Sequence, residues 1–164
     1  MNEQRYAMLS RPFRKHPTLF RILLLLNKLC TLAGYISYPL LIVILLYRGD
    51  HRGIPYVLIP GISFVLLSLF RDRVNKPRPY EILAINPLIK KDTLGHSFPS
   101  RHTFSIFLIA TCWLGICPYV GFVLLVIAFL LACIRVIGGV HFPMDVFCGA
   151  VIGFVCGILP WIIS

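Results

Sequence analysis

The residues of this chain that can do chemistry fall in three short polar clusters. One runs from Arg135 through His141 to Asp145. Pro143 suits the first turn of a helix, which sets His141 just before that helix and Asp145 within its first turn. A carboxylate so placed can accept a proton from one imidazole nitrogen, fixing the tautomer and leaving the other nitrogen as a nucleophile. Arg135 is the only charge in its apolar stretch, and ionisable residues at membrane depth are costly and usually functional. Taken alone, the cluster reads equally well as a structural Arg–Asp pair with a packed histidine.

A second cluster is Ser97-Phe-Pro-Ser100-Arg101-His102. Ser97 is expected to cap a helix and Pro99 to occupy its first turn. The backbone N–H groups of Ser100 to His102 then lie at a helix N-terminus, which favours an anion, and His102 is placed to act as general acid. The alternative is a polar cap that happens to hold a histidine. The remaining cluster is Arg71-Asp-Arg-Val-Asn-Lys-Pro-Arg78-Pro79. Arg71 and Arg78 carry guanidiniums, which fork onto phosphate oxygens; Lys76 and Arg73 add charge or face lipid head groups. Alone, this is a basic juxtamembrane patch. Together the clusters supply anion donors, a nucleophile and an acid, the parts needed for phosphoryl transfer through a covalent phosphohistidine without a metal.

The elements that must position these residues are apolar. Of 164 residues, 58% are hydrophobic, against about 45–50% in a soluble domain. The excess lies in long runs, and about 20 residues of helix span a bilayer. The expected fold is an all-α, polytopic membrane bundle, one domain over 1–164, with about five transmembrane helices after a basic interfacial segment. The spans are read at about 27–47, 54–70, 100–117, 119–137 and 143–163. Residues 19–26 are read as interfacial, and Pro12 and Pro17 are expected to interrupt any helix in residues 1–18. A tight hairpin within 19–47 would make six spans instead. Five spans put the N-terminal segment, the 71–99 loop and the 138–142 turn on one side of the membrane.

Net charge is +10. Because the basic residues lie outside the apolar runs, anionic lipid or a phosphate substrate is the expected partner rather than nucleic acid. The six cysteines (Cys30, Cys112, Cys117, Cys133, Cys148 and Cys156) all sit in apolar stretches without a CxxC pair. They read as small buried residues, and no cofactor or metal is expected. The first eighteen residues lack the pattern of a cleavable signal peptide.

With these residues in view, the chain resembles the type 2 phosphatidic acid phosphatases, membrane relatives of the vanadium haloperoxidases. Their motifs are Lys-x6-Arg-Pro, Pro-Ser-Gly-His and Ser-Arg-x5-His-x3-Asp. Arg71 through Pro79 matches the first with Arg for Lys. Pro99-Ser100-Arg101-His102 matches the second with Arg for Gly, and Ile134-Arg135 through His141 to Asp145 matches the third with Ile for Ser. The resemblance covers about residues 27–160. It implies His141 as nucleophile, Asp145 as its orienting partner and His102 as acid and later base. Arg71, Arg78, Ser100, Arg101 and Arg135 would hold the phosphate. It implies a lipid phosphate or diphosphate as substrate, of the phosphatidate, phosphatidylglycerol phosphate or polyprenyl diphosphate type.

Arg101 is the departure with most at stake, because the family's glycine lets backbone approach phosphate closely. If residue 101 is helical, an arginine fits, and its side chain can contact a second phosphate or a head group. The expected location is a bacterial cytoplasmic membrane, with the oligomeric state open. Relatives commonly face outside, whereas the excess of basic residues on the site side points to the cytoplasm, so the sequence leaves the side open. A non-catalytic lipid-binding or transport protein on the same fold is the competing reading; vanadate-dependent oxidation is a more distant one.

Overall fold

The computed structural model describes residues 1–163, and no strand occurs among them. The order is α1 (Glu3–Lys15), α2 (Pro17–Tyr47), α3 (Gly53–Val74), the short α4 (Pro79–Ile82), α5 (Arg101–Ile116), α6 (Pro118–Ile137) and α7 (Pro143–Ile163). α2, α6, α7 and the stretch containing α3 are long and apolar enough to cross a bilayer. Their outer faces carry exposed Leu, Val, Ile and Phe side chains that would be misplaced in water. In a bilayer those faces meet acyl chains, and the protein is an integral membrane protein with five spanning helices and an additional N-terminal helix.

α5 is the exception in length and the centre of the bundle. Its 16 residues span about 24 Å, less than the ~30 Å hydrocarbon core. It packs against α7, α6, α2 and α3, and Thr103, Phe104, Ile106, Leu108, Ala110, Thr111, Cys112 and Trp113 are buried in it. Its neighbours, rather than its own length, hold it in the membrane. α7 lies closest, through Gly149, Gly153 and Gly157 on one face. A Cβ on Gly149 would stand 2.7 Å from the Ser100 carbonyl oxygen, and one on Gly157 2.7 Å from that of Leu108. Small residues at fourfold spacing let helix backbones approach in this way. The approach brings the Ser100 N–H to 2.8 Å from the Asp145 carbonyl oxygen, joining the starts of α5 and α7.

Two expectations at the N-terminal end are corrected. Residues 19–26 are not separated from the span by any break: α2 is one helix of 31 residues, about 46 Å long. It holds no hairpin, so the spans number five rather than six. Pro12 does not prevent a helix either. α1 continues through it, capped by the Asn2 side chain, which accepts the Arg5 N–H at 3.0 Å. Tertiary contacts outweigh the one hydrogen bond that Pro12 removes. Glu3 Oε1 accepts the Ala84 N–H at 2.8 Å. The Tyr6 hydroxyl donates to the Asn86 carbonyl at 3.2 Å and accepts the Leu88 N–H at 3.1 Å. Met8 and Leu9 stay exposed on the opposite face. The tyrosine also lies against Gly139, where a Cβ would meet its hydroxyl at 2.8 Å. α1, the 71–99 loop and the 138–142 turn therefore share one side.

Candidate active site

The loop between α3 and α5 is folded back on itself by polar contacts. Asn75 ends α3 in the left-handed conformation, φ 39°, a geometry that asparagine tolerates, and its side chain accepts the His96 N–H at 3.2 Å. The Lys76 carbonyl accepts the Ser97 N–H at 2.8 Å. One oxygen of Glu81 accepts both the Arg78 N–H and the Gly95 N–H at 2.8 Å. Residues 76–78 thus run beside 95–97. The middle of the loop is pinned to the end of α6 where the Ile89 N–H donates to Gly138 at 3.1 Å. Gly139 then turns the chain with φ 76°, a conformation glycine adopts without strain, and presents His141 at the mouth of α7.

His141 is 1% exposed and Asp145 is fully buried. They do not bond directly: Nδ1 stands 3.9 Å from Asp145 Oδ2. Ser97 lies between them. Its hydroxyl donates to Asp145 Oδ2 at 2.6 Å and sits 3.4 Å from His141 Nδ1. With its one proton committed to the carboxylate, Ser97 can only accept from the ring, so Nδ1 carries the proton and Nε2 keeps its lone pair. Ser97 is therefore not the cap of α5. Ser100 takes the N-cap position and makes no capping side-chain bond. Burial pushes the His141 imidazole down to about 4 against the opposing pull of the nearby Asp145 carboxylate, so the ring is neutral at ordinary pH.

Asp145 is fully partnered. Besides Ser97, Oδ2 accepts the Phe142 N–H at 3.0 Å, and Oδ1 pairs with Lys76 Nζ at 2.8 Å. That ammonium is flanked by the Phe98 and Phe142 rings, 5.3 and 5.1 Å from their centroids, a favourable setting for a cation. Sequence reasoning treated Lys76 as spare charge and Ser97 as a cap. Neither assignment had a local signal, because the partners lie 69 and 48 residues away.

The arginines divide by task. Arg78 is buried and donates from Nε to Gly95 at 2.9 Å and from Nη1 to Val140 at 3.3 Å, which brings its guanidinium beside His141. Arg71 is turned instead towards the loop, donating to the Pro99 and His96 carbonyls. Arg135 is 3% exposed, makes no side-chain hydrogen bond, and its Nε has no partner among the described residues. A buried guanidinium left unpaired is strongly disfavoured unless an anion joins it. Lys91 adds to the field: burial, reinforced by Arg78, Arg135, Arg101 and Arg71, pushes its ammonium down to about 8. Ser100 is buried with its N–H taken by Asp145, and its hydroxyl accepts from Thr103 at 3.0 Å, so its N–H is not one of the anion donors expected at this helix start.

His102, one residue into α5, lies within the electrostatic reach of Arg135, Lys91, His141 and Arg101. It also lines a cavity of about 550 Å³ between α2, α3 and α5. Arg101 stands at the same end, its guanidinium 5.6 Å from the centroid of the Phe64 ring. Beyond these two residues the walls are mainly apolar, among them Tyr38, Pro60, Phe104 and Ile109. Tyr35 and Phe64, both exposed, mark where the groove opens sideways.

The model of the PAP2 superfamily matches residues 52–164, and the chain belongs to that family. It is similar to the bacitracin transport permease protein BcrC of Bacillus licheniformis, with 30% identity over 129 residues, 74% of this chain and 63% of that protein; the chain thus spans less than two thirds of that relative's length. Among solved structures, Aquifex aeolicus LpxE superposes with a TM-score of 0.74 at 33% identity, over 97% of this chain and 93% of its own. The first transmembrane PAP2 type phosphatidylglycerolphosphate phosphatase from Bacillus subtilis superposes with a TM-score of 0.70, over 96% of this chain and 83% of its own. At 24% identity that last likeness is one of fold.

Proposed function

We propose that this protein is a membrane phosphatase that hydrolyses a lipid phosphate through a phosphohistidine on His141. The observation that carries the reading is Arg135, a buried guanidinium whose Nε has no partner among the described residues, in a cationic cluster whose Arg101 and His102 line an apolar cavity between α2, α3 and α5. An anion on an apolar stem satisfies both at once.

The chemistry follows from the tautomer. His141 Nε2 attacks phosphorus while Ser97 and Asp145 hold Nδ1–H, and the imidazolium that forms is stabilised by the buried carboxylate. Arg78 and Arg135 neutralise the charge on the equatorial oxygens, assisted by the free N–H groups of the first turn of α5. Arg71 and Ser100 shape the cradle from behind. His102 gives its proton to the departing oxygen, then takes one from the water that attacks the phosphohistidine. Lys76 keeps Asp145 ionised and fixed.

The test is phosphate release from lipid phosphates by the purified protein in detergent, with chelator present. His141→Ala is expected to lower kcat by at least about 10³-fold, the scale seen when a covalent nucleophile is removed. Denatured wild-type enzyme quenched during turnover should carry acid-labile phosphate that the variant lacks. Unchanged turnover in His141→Ala would reject the covalent route. No release from any lipid phosphate would favour a non-catalytic lipid-binding protein.

A further inference from the structure

We propose that α1 is a working part of the site and that Tyr6 is a positioning residue, holding the 138–142 turn, and with it His141, against the loop. The proposal rests on the phosphohistidine reading above and adds to it a residue from outside the three polar clusters.

The contacts of α1 converge on the parts that carry the site. Glu3 accepts the Ala84 N–H, Arg14 donates to the Asn86 carbonyl, and the Tyr6 hydroxyl joins Asn86 to Leu88. Ile89, the next residue, donates to the Gly138 carbonyl. Tyr6 also reaches the turn itself. It is 2% exposed, and a Cβ on Gly139 would meet its hydroxyl at 2.8 Å and its ring at 2.9 Å. Val140 follows, fully buried among Leu23, Leu88, Ile89 and Ile134, with Phe13 of α1 packed against that cluster. The Val140 carbonyl accepts from Arg78, and His141 comes next. Tyr6 thus sits where α1, the loop and the turn meet.

A tyrosine that only filled space here could be a phenylalanine. The hydroxyl instead donates and accepts in a buried place, and without it the Leu88 N–H loses its partner. The geometry at His141 has little slack. Ser97 stands 3.4 Å from Nδ1, close to the outer limit of a hydrogen bond, so a small shift of the turn frees the ring. Ser97 and Asp145 hold the imidazole, while Tyr6 holds the backbone that carries it. A reacting group misplaced by about 1 Å can cost about 10²-fold in rate.

The test uses full-length protein in detergent, labelled with 15N at histidine, and two variants. Tyr6→Phe keeps the ring against Gly139 and removes the hydroxyl; Tyr6→Ala removes both. The His141 ring signals are those lost in His141→Ala. In wild type they are expected to show the Nδ1–H tautomer. In Tyr6→Phe they should move towards a mixture of tautomers, while those of His51, on the opposite turn, stay in place. On a lipid phosphate, kcat should fall by about tenfold in Tyr6→Phe and by about 100-fold in Tyr6→Ala, with KM changed less than about twofold. Signals of His141 and a kcat that are unchanged in Tyr6→Phe overturn the proposal. So does an equal shift of the His51 signals, which marks general loosening. If Tyr6→Ala does not fold, Tyr6→Phe decides. If wild type releases no phosphate from any lipid, the phosphatase reading fails, and the tautomer response still decides whether Tyr6 positions His141.

Discussion

Ser97 concentrates what the residue scale adds. A single hydroxyl spans the gap between a carboxylate and an imidazole that stand 3.9 Å apart, too far for a direct bond. In the phosphohistidine reading, Ser97→Ala leaves the carboxylate in place but frees the ring to turn and to change tautomer. We expect kcat to fall by about 10- to 100-fold with little change in KM, the pattern of a group that acts through the nucleophile; steady-state rates on a lipid phosphate check it. The His141 pKa gives a second expectation. The imidazole is neutral above about 4, so protonation of His141 should add no acid limb to kcat/KM above that region, once the ionisation of the substrate phosphate, at about 6, is allowed for. An imidazole proton on His141 that titrates near the ordinary histidine value of about 6.5, followed by NMR in the absence of substrate, would contradict the buried, neutral state. The sequence made His141, Asp145 and His102 legible because proline and the apolar runs locate helix starts. Lys76 and Ser97 escaped because their partners come from distant helix ends that only the folded bundle brings together.

Among the elements, the pairing of α5 with α7 decides whether the site exists. The glycine face of α7 sets the distance between the two helix starts, and so between His102 and His141. Gly153 faces the Phe104 carbonyl more closely than either neighbouring glycine faces its own contact. A methyl there cannot be accommodated by a rotamer change, because the opposing atom is backbone. Gly153→Ala should push the helices apart, destabilise the fold by about 1–3 kcal/mol as overpacking does, and reduce turnover more than Tm loss explains. Thermal unfolding in detergent, set beside kcat at a temperature where both proteins are folded, measures the two effects. The run of five apolar stretches announced the helices, and their bounds were read to within a few residues for α6 and α7. The glycine stripe was not read as a packing face, since helical periodicity in an all-apolar segment does not say which side meets protein. α1 was missed for the reason that Pro12 argues locally against a helix, while Tyr6 and Glu3 act through contacts about 80 residues away.

Across the whole molecule, charge is segregated. Arg5, Arg11, Arg14, Lys15, Arg73 and Lys90 lie on the face that carries the site, in addition to the cations inside it. The opposite turn holds Arg48 and Arg52, the latter paired with Asp50 at 2.6 Å. Such a field gathers anionic lipid around the groove, and it is screened within about 10 Å at 0.1 M salt. Raising salt from about 0.05 to 0.5 M, where the screening length falls to a few ångströms, should therefore increase KM for an anionic lipid substantially while leaving kcat nearly constant. A short-chain soluble phosphate ester should be affected less. The groove between α2, α3 and α5 has a kinetic corollary. Its opening lies among exposed apolar side chains, and in the lipid-phosphatase reading a substrate reaches His102 by sliding within its own leaflet. Encounter then becomes a two-dimensional problem. The relevant concentration is the mole fraction of substrate in the surface, and diluting it with inert lipid at constant bulk amount should slow the enzyme in proportion.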